Sequence, residues 1–86
     1  MLELGQKTPV PAEGLIKDGS EASFMADVIE TSREVPVIVD FWAPWCGPCK
    51  TLGPMLEAAV TEARGKVRMV KINVDESQAL AGQLRI

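Results

Sequence analysis

The chain has 86 residues, enough for one small domain and too few for two. Hydrophobic residues make up 47% and charged residues 24%, with a mean hydropathy of +0.09, which is the balance of a chain that folds and excludes a disordered one. Nine Lys and Arg against twelve Asp and Glu leave a formal charge of −3 with no basic run, so counterion release from a phosphate backbone, and with it nucleic acid as a partner, is excluded.

No stretch approaches the roughly 20 apolar residues of a membrane span, and Met1–Lys7 has no basic segment leading into an apolar one, so no membrane partner is expected and the location reads as cytoplasmic. Residues 1–13 hold Pro9 and Pro11 and no apolar period, and read as an extended N-terminal arm ahead of a domain over 14–86. Leu15-Ile16-Lys17 is a short strand closed by an Asp18-Gly19 turn. Ser20 caps a helix over 20–33, with Phe24, Met25, Val28 and Ile29 on one face.

After Pro36, Val37–Trp42 is a nearly unbroken β-branched and aromatic run, the pattern of a strand covered on both faces. Asp40 is the exception. A carboxylate there must find a partner, shift upward in pKa or face a cleft, and the two-residue period puts it on one face with Ile38 and Trp42. From Cys46 to about Ala63 the pattern turns helical, with Leu52, Met55, Leu56, Ala59, Val60 and Ala63 in phase across Gly53-Pro54, which predicts a kinked helix stopped at Gly65. Val67–Val74 is a third strand, and Asp75 with Gln78 forms a capping pair for a short helix carrying Leu80 and Leu84. The order β-α-β-α-β-α makes an α/β fold, a parallel sheet with right-handed crossovers and helices on its faces.

The chain's two cysteines, Cys46 and Cys49, stand two residues apart where the second strand gives way to the long helix. As a staple they would contribute little: closing a four-residue ring is worth about 2 kcal/mol by chain entropy, against about 3 for fifteen residues. A zinc site needs four ligands, and the chain has no His and no second Cys pair; two chains could combine four thiolates, but a helix-start loop holding a proline is poor geometry for it. Redox chemistry fits better. At the first turn of a helix, unpaired N–H groups and the positive dipole end favour the Cys46 thiolate as nucleophile, with Cys49 one turn further in and placed to resolve a mixed disulfide. Gly47 allows the tight turn and Pro48 fixes φ at the helix start.

Cys49 must lose a proton as it attacks, and Asp40 is the candidate base, directly or through water. Lys71, mid-strand, is the candidate partner of Asp40; the plainer alternative is that the two merely form a buried salt bridge. Trp45 reads either as core or as a partly exposed platform for peptide substrates, while Trp42 is placed under the loop.

Over Asp40-Phe41-Trp42-Ala43-Pro44-Trp45-Cys46-Gly47-Pro48-Cys49-Lys50, at Pro54, and again at Lys71-Ile72-Asn73-Val74-Asp75, the sequence resembles the thioredoxin family. The resemblance spans about residues 14–86. It implies a thioredoxin-like fold, a redox-active Cys46–Cys49 disulfide with no other cofactor, Cys46 as nucleophile, Cys49 as resolving thiol, Asp40 as buried acid and base, and Gly47-Pro48 as the pair that sets a reducing potential. It also implies a thioredoxin reductase as electron donor and disulfide-bearing proteins as substrates.

In that family the fold continues with a cis-proline loop, two antiparallel strands and a last helix, and this chain ends a few residues before that proline is expected. The domain is therefore expected to be incomplete, with the strand carrying Asp40 left as an open sheet edge where a second copy could pair to give a homodimer. Three functional readings follow: a protein disulfide reductase, a chaperone-type binding module for unfolded polypeptides, and an inactive fragment.

Overall fold

Three strands form one sheet in the computed structural model, which describes residues 12–86. They are β1 (Ile16–Gly19), β2 (Val37–Trp42) and β3 (Arg68–Asn73), in spatial order β1-β3-β2 with both pairings parallel. The last strand in sequence is the middle one in space, and among the described residues β2 pairs only with β3. The helical elements are α1 (Ala12–Leu15), a π-helical stretch (Met25–Glu30) running into a 3-10 turn (Thr31–Arg33), α2 (Gly47–Glu62) and α3 (Gln78–Gln83). The parallel α/β architecture expected from the strand and helix order is the one observed.

Strand alternation divides the core in two. On one face Leu15, Val60 and Met69 are buried, with Ile16, Ile38, Leu56 and Val67 packed against them, so α2 covers this side. On the other, Val28, Val70 and Ile72 are buried beneath Phe24, Val37, Val39, Phe41 and Leu80, which places the π-helical stretch and α3 there. Met69, Ile72 and Val60 are fully buried, each worth about 1.5–3 kcal/mol of transfer free energy.

Several local expectations are corrected. Asp18 and Gly19 lie inside β1, not in a turn after it, and Leu15 closes α1; residues 1–11 of the expected arm lie outside the described residues. Gly19 is needed in the strand because a Cβ there would stand 2.6 Å from Val70 Cγ1. The helix expected over 20–33 starts later and Ser20 does not cap it: its Oγ accepts the Ser23 N–H at 3.2 Å and its own N–H donates to Ser23 Oγ at 3.0 Å, which fixes a turn ahead of Phe24, the N-cap residue, which makes no side-chain capping bond.

The helix that follows is not a regular α-helix. Thr31 Oγ1 donates to the Ala26 carbonyl (3.0 Å) and Ser32 Oγ to that of Ile29 (2.7 Å), side-chain bonds that compete with the regular ladder near its end. The wider π-turn keeps Val28 and Phe24 inward and turns Met25 and Ile29 out to solvent.

Helix α2 runs through Pro54 without a break. Proline has no N–H, so the Lys50 carbonyl lacks its ladder donor. The predicted stripe is only partly inward: Val60 and Leu56 pack on the sheet, whereas Leu52, Met55 and Ala59 are exposed. The helix ends at Glu62 with Ala63 as its C-cap, followed by Arg64 (φ 54°) and Gly65 (φ 97°) in the left-handed region.

Helix α3 is not capped by Asp75. Its N-cap is Ser77, whose side chain makes no capping bond, and the Leu80 N–H in its first turn donates to the Glu21 carboxylate at 2.8 Å, from 59 residues away. Gln78 Nε2 reaches back to the Asp75 carbonyl (3.2 Å), and Leu84 falls at the exposed end of the helix.

Candidate active site

The two cysteines sit where the sheet hands over to α2. Ala43 is buried, and its carbonyl accepts the Cys46 N–H at 3.0 Å, which fixes the turn leaving β2. Cys46 is the N-cap residue of α2, extended in backbone (φ −86°, ψ 103°), and its sulfur accepts the Cys49 N–H at 3.3 Å. One of the helix's otherwise unpaired donors therefore points at the Cys46 sulfur, where it stabilises negative charge. Pro48 occupies the first turn, where its missing N–H costs nothing. Cys46 and Cys49 are joined by a disulfide with a Cα–Cα distance of 5.3 Å, and both are half-buried.

Trp45, next to Cys46, is 73% exposed. Its indole N–H donates to both carboxylate oxygens of Asp75, each at 3.1 Å, which ties the loop before α2 to the turn after β3. That turn is itself set by Asn73, whose Oδ1 accepts the Asp75 N–H at 2.8 Å. Trp42 is half-buried beneath the loop, with its Nε1 enclosed and without a partner, while its carbonyl accepts the Val74 N–H at 2.9 Å.

Beside Cys49 opens a cleft of about 290 Å³ lined by Asp40, Trp42, Ala43, Pro44, Cys49, Lys50, Pro54, Glu57 and Lys71. Asp40 is buried on the sheet face that α2 covers, directly opposite Lys71 in the β2–β3 register. The pairing of these two expected from the sequence is corrected: the Lys71 ammonium donates to Glu57 Oε2 of α2 at 2.8 Å. That hydrogen bond, outweighing the effect of burial, raises the Lys71 pKa above its ordinary value, with the charges of Glu57, Asp18 and Asp40 adding to it. Among the described residues no group of three or more His, Cys, Asp or Glu side chains gathers where it could hold a metal ion, and no helix is long and apolar enough to cross a membrane.

The site thus gathers Cys46, Cys49, Asp40, Lys71 and Trp42 around one cleft and its rim, with Gly47 and Pro48 on the exposed first turn and Trp45 on the outer side of the loop. Two residues escaped the sequence reading. Glu57 follows Cys49 and Gly53 at successive four-residue steps, a spacing that marks the inward face of α2. Asp75 read as a helix cap, and nothing in its spacing distinguishes that use from a bond to an indole 30 residues earlier.

The family model described as Thioredoxin matches residues 16–86. A thioredoxin of Synechocystis sp. is 48% identical over 67 residues, covering 78% of this chain and 61% of the relative, so the chain spans about three-fifths of that protein's length. A bifunctional thioredoxin reductase/thioredoxin of Mycobacterium leprae is 40% identical over 73 residues, 85% of this chain and 16% of that protein. Among solved structures, chloroplastic thioredoxin z superimposes with a TM-score of 0.74 at 41% identity, over 83% of this chain and 61% of the other. A parallel sheet with a Cys-Gly-Pro-Cys turn at the head of its long helix, matched by family and by structure over the same stretch, places the chain in the thioredoxin family.

Proposed function

We propose that the chain is a protein disulfide oxidoreductase of thioredoxin type. The observation that carries the reading is Cys46 at the N-cap of α2, its sulfur holding the Cys49 N–H and bonded to Cys49. In the reduced form the Cys46 thiolate attacks one sulfur of a substrate disulfide and expels the other as a thiolate, which takes up a proton. Cys49 then gives its proton to Asp40 and attacks Cys46 Sγ, forming the Cys46–Cys49 bond and releasing the second substrate thiolate. Two electrons pass from the dithiol to the substrate. Trp45 offers an apolar surface beside the nucleophile for a polypeptide substrate.

Renewed turnover needs an external two-electron donor, and a thioredoxin reductase is the reading favoured by the Mycobacterium leprae relative, whose name joins reductase and thioredoxin. The cytoplasm, as a reducing compartment, suits a reductase of this kind. Among the described residues β2 pairs only with β3, which supports pairing of a second copy along its other edge; a monodisperse monomer in light scattering would exclude that assembly.

Reduction of insulin in the presence of a thioredoxin reductase tests the activity. Turnover is expected for the chain and none for Cys46→Ser. Aggregation suppression that survives Cys46→Ser, without turnover, would instead favour a binding module that uses exposed Trp45, Leu52 and Met55.

A further inference from the structure

Lys71 stands in the central strand between two carboxylates, Asp18 on β1 and Asp40 on β2, each opposite it in register and on the same sheet face. Neighbouring strands lie about 4.8 Å apart, so a lysine stem reaches either side of its own strand. Yet its ammonium rises to α2 and donates to Glu57 Oε2 at 2.8 Å. Among the described residues no cation lies within ion-pair distance of Asp40, although its side chain is buried beside the cleft that also holds Cys49.

We infer that Glu57 is a positioning residue: it holds the Lys71 ammonium away from Asp40 and so leaves that carboxylate free to accept the Cys49 proton. The inference rests on the reading of Asp40 as the base. An ammonium bonded to Asp40 would keep it ionised but weaken it as a base, since a proton arriving there would have to displace the cation. The charged or titratable groups around the cleft are Lys71 on β3, Cys49, Lys50 and Glu57 on α2, with Asp18 across the sheet. Of these, Glu57 is the one that draws Lys71 off the sheet. With Gln at 57, the nearest carboxylates to the ammonium are Asp40 and Asp18, and the buried one attracts it more strongly because the dielectric there is lower.

The test follows the reduced chain as it is oxidised by an aromatic disulfide whose two thiolates leave in separate steps. The first release reports attack by Cys46, the second attack by Cys49. Folding of each variant is checked by circular dichroism. In Glu57→Gln the acid limb of the second step is expected to move about one unit to lower pH, and its plateau to fall. Adding Lys71→Met to that variant is expected to abolish the move, and Glu57→Asp to keep the wild-type limb. Lys71→Met alone, which stays informative if the Glu57 variant fails to fold, is expected to shift the limb by less than about half a unit.

An unmoved limb in Glu57→Gln, a downward move that persists without Lys71, or a rise of a full unit in Lys71→Met alone overturns the inference. Asp40→Asn separates the two layers. If it leaves the limb in place, the reading of Asp40 as base fails and the inference with it; if it removes the limb, the results above judge Glu57 alone.

Discussion

Asp75 grips the Trp45 indole through both carboxylate oxygens, so the large apolar side chain beside the nucleophile is exposed but oriented. A hydrogen bond to a charged acceptor is worth about 1.5–3 kcal/mol when shielded and less in the open, which is enough to favour one orientation over free rotation. Asp75→Ala is expected to quicken the decay of Trp45 fluorescence anisotropy, measured in a Trp42→Phe background so that one indole reports. The same change is expected to raise KM for insulin while exchange with a small aromatic disulfide is unaltered. At this scale the cysteines, Asp40 and both tryptophans were legible because each breaks a pattern: a thiol pair at a helix start, a carboxylate in an apolar strand, aromatics flanking a loop. The partners of Lys71 and Trp45 were not. Lys71 has Asp18, Asp40 and Glu57 all within reach of one flexible stem, and which of them it bonds is settled by the placement of α2, information that no spacing along the chain contains.

Helix α3 depends on a carboxylate from the other end of the domain. It has six residues, too few to be stable alone, and its Ser77 cap supplies no side-chain bond, so the Glu21 carboxylate on the Leu80 N–H is the cap that the described contacts provide. Glu21→Ala is expected to cost about 1 kcal/mol and to speed amide exchange in α3 roughly fivefold, while amides that exchange through local openings elsewhere keep their rates. An equal increase in those amides would show that Glu21 does not act locally on α3. The sequence located this helix and the strand before it, because apolar periodicity and turn residues are local. Its cap was misassigned for the opposite reason: the true donor of the bond is local, but the acceptor arrives from 59 residues away. The π-helical stretch escaped in a similar manner, since the phase of Phe24, Met25, Val28 and Ile29 fits an α-helix and only the side-chain bonds of Thr31 and Ser32 mark the departure.

For the whole molecule, two ion pairs contribute to the pH dependence of stability. Burial alone would raise the Asp27 carboxyl, but the Lys17 ammonium, which donates to Oδ1 at 2.7 Å, and the nearby Ser23 side chain outweigh it and hold the pKa below its ordinary value. The unfolded chain therefore binds this proton more tightly, so the contribution of Asp27 is complete above about pH 3.8 and is lost as pH falls through the lower folded value. Lys71, raised above 10.5, contributes fully below that pH and loses its contribution as pH rises through the higher folded value. The melting temperature is expected to drop at both extremes. Asp27→Asn should lower it at neutral pH and flatten its fall in acid, and an acid limb as steep as in the parent chain would count against this assignment. The architecture was the most legible level of all, because strands alternating with helices admit few arrangements, and the parallel sheet with helices on both faces followed from that order. One consequence of that arrangement concerns synthesis. β1 and β2 are made first, yet neither pairs with the other; both wait for β3, which lies between them. Until Arg68–Asn73 has left the ribosome there is no sheet to assemble, and the apolar faces of both earlier strands stand open to chaperones, so the chain is expected to acquire protease resistance in one late step rather than by stages.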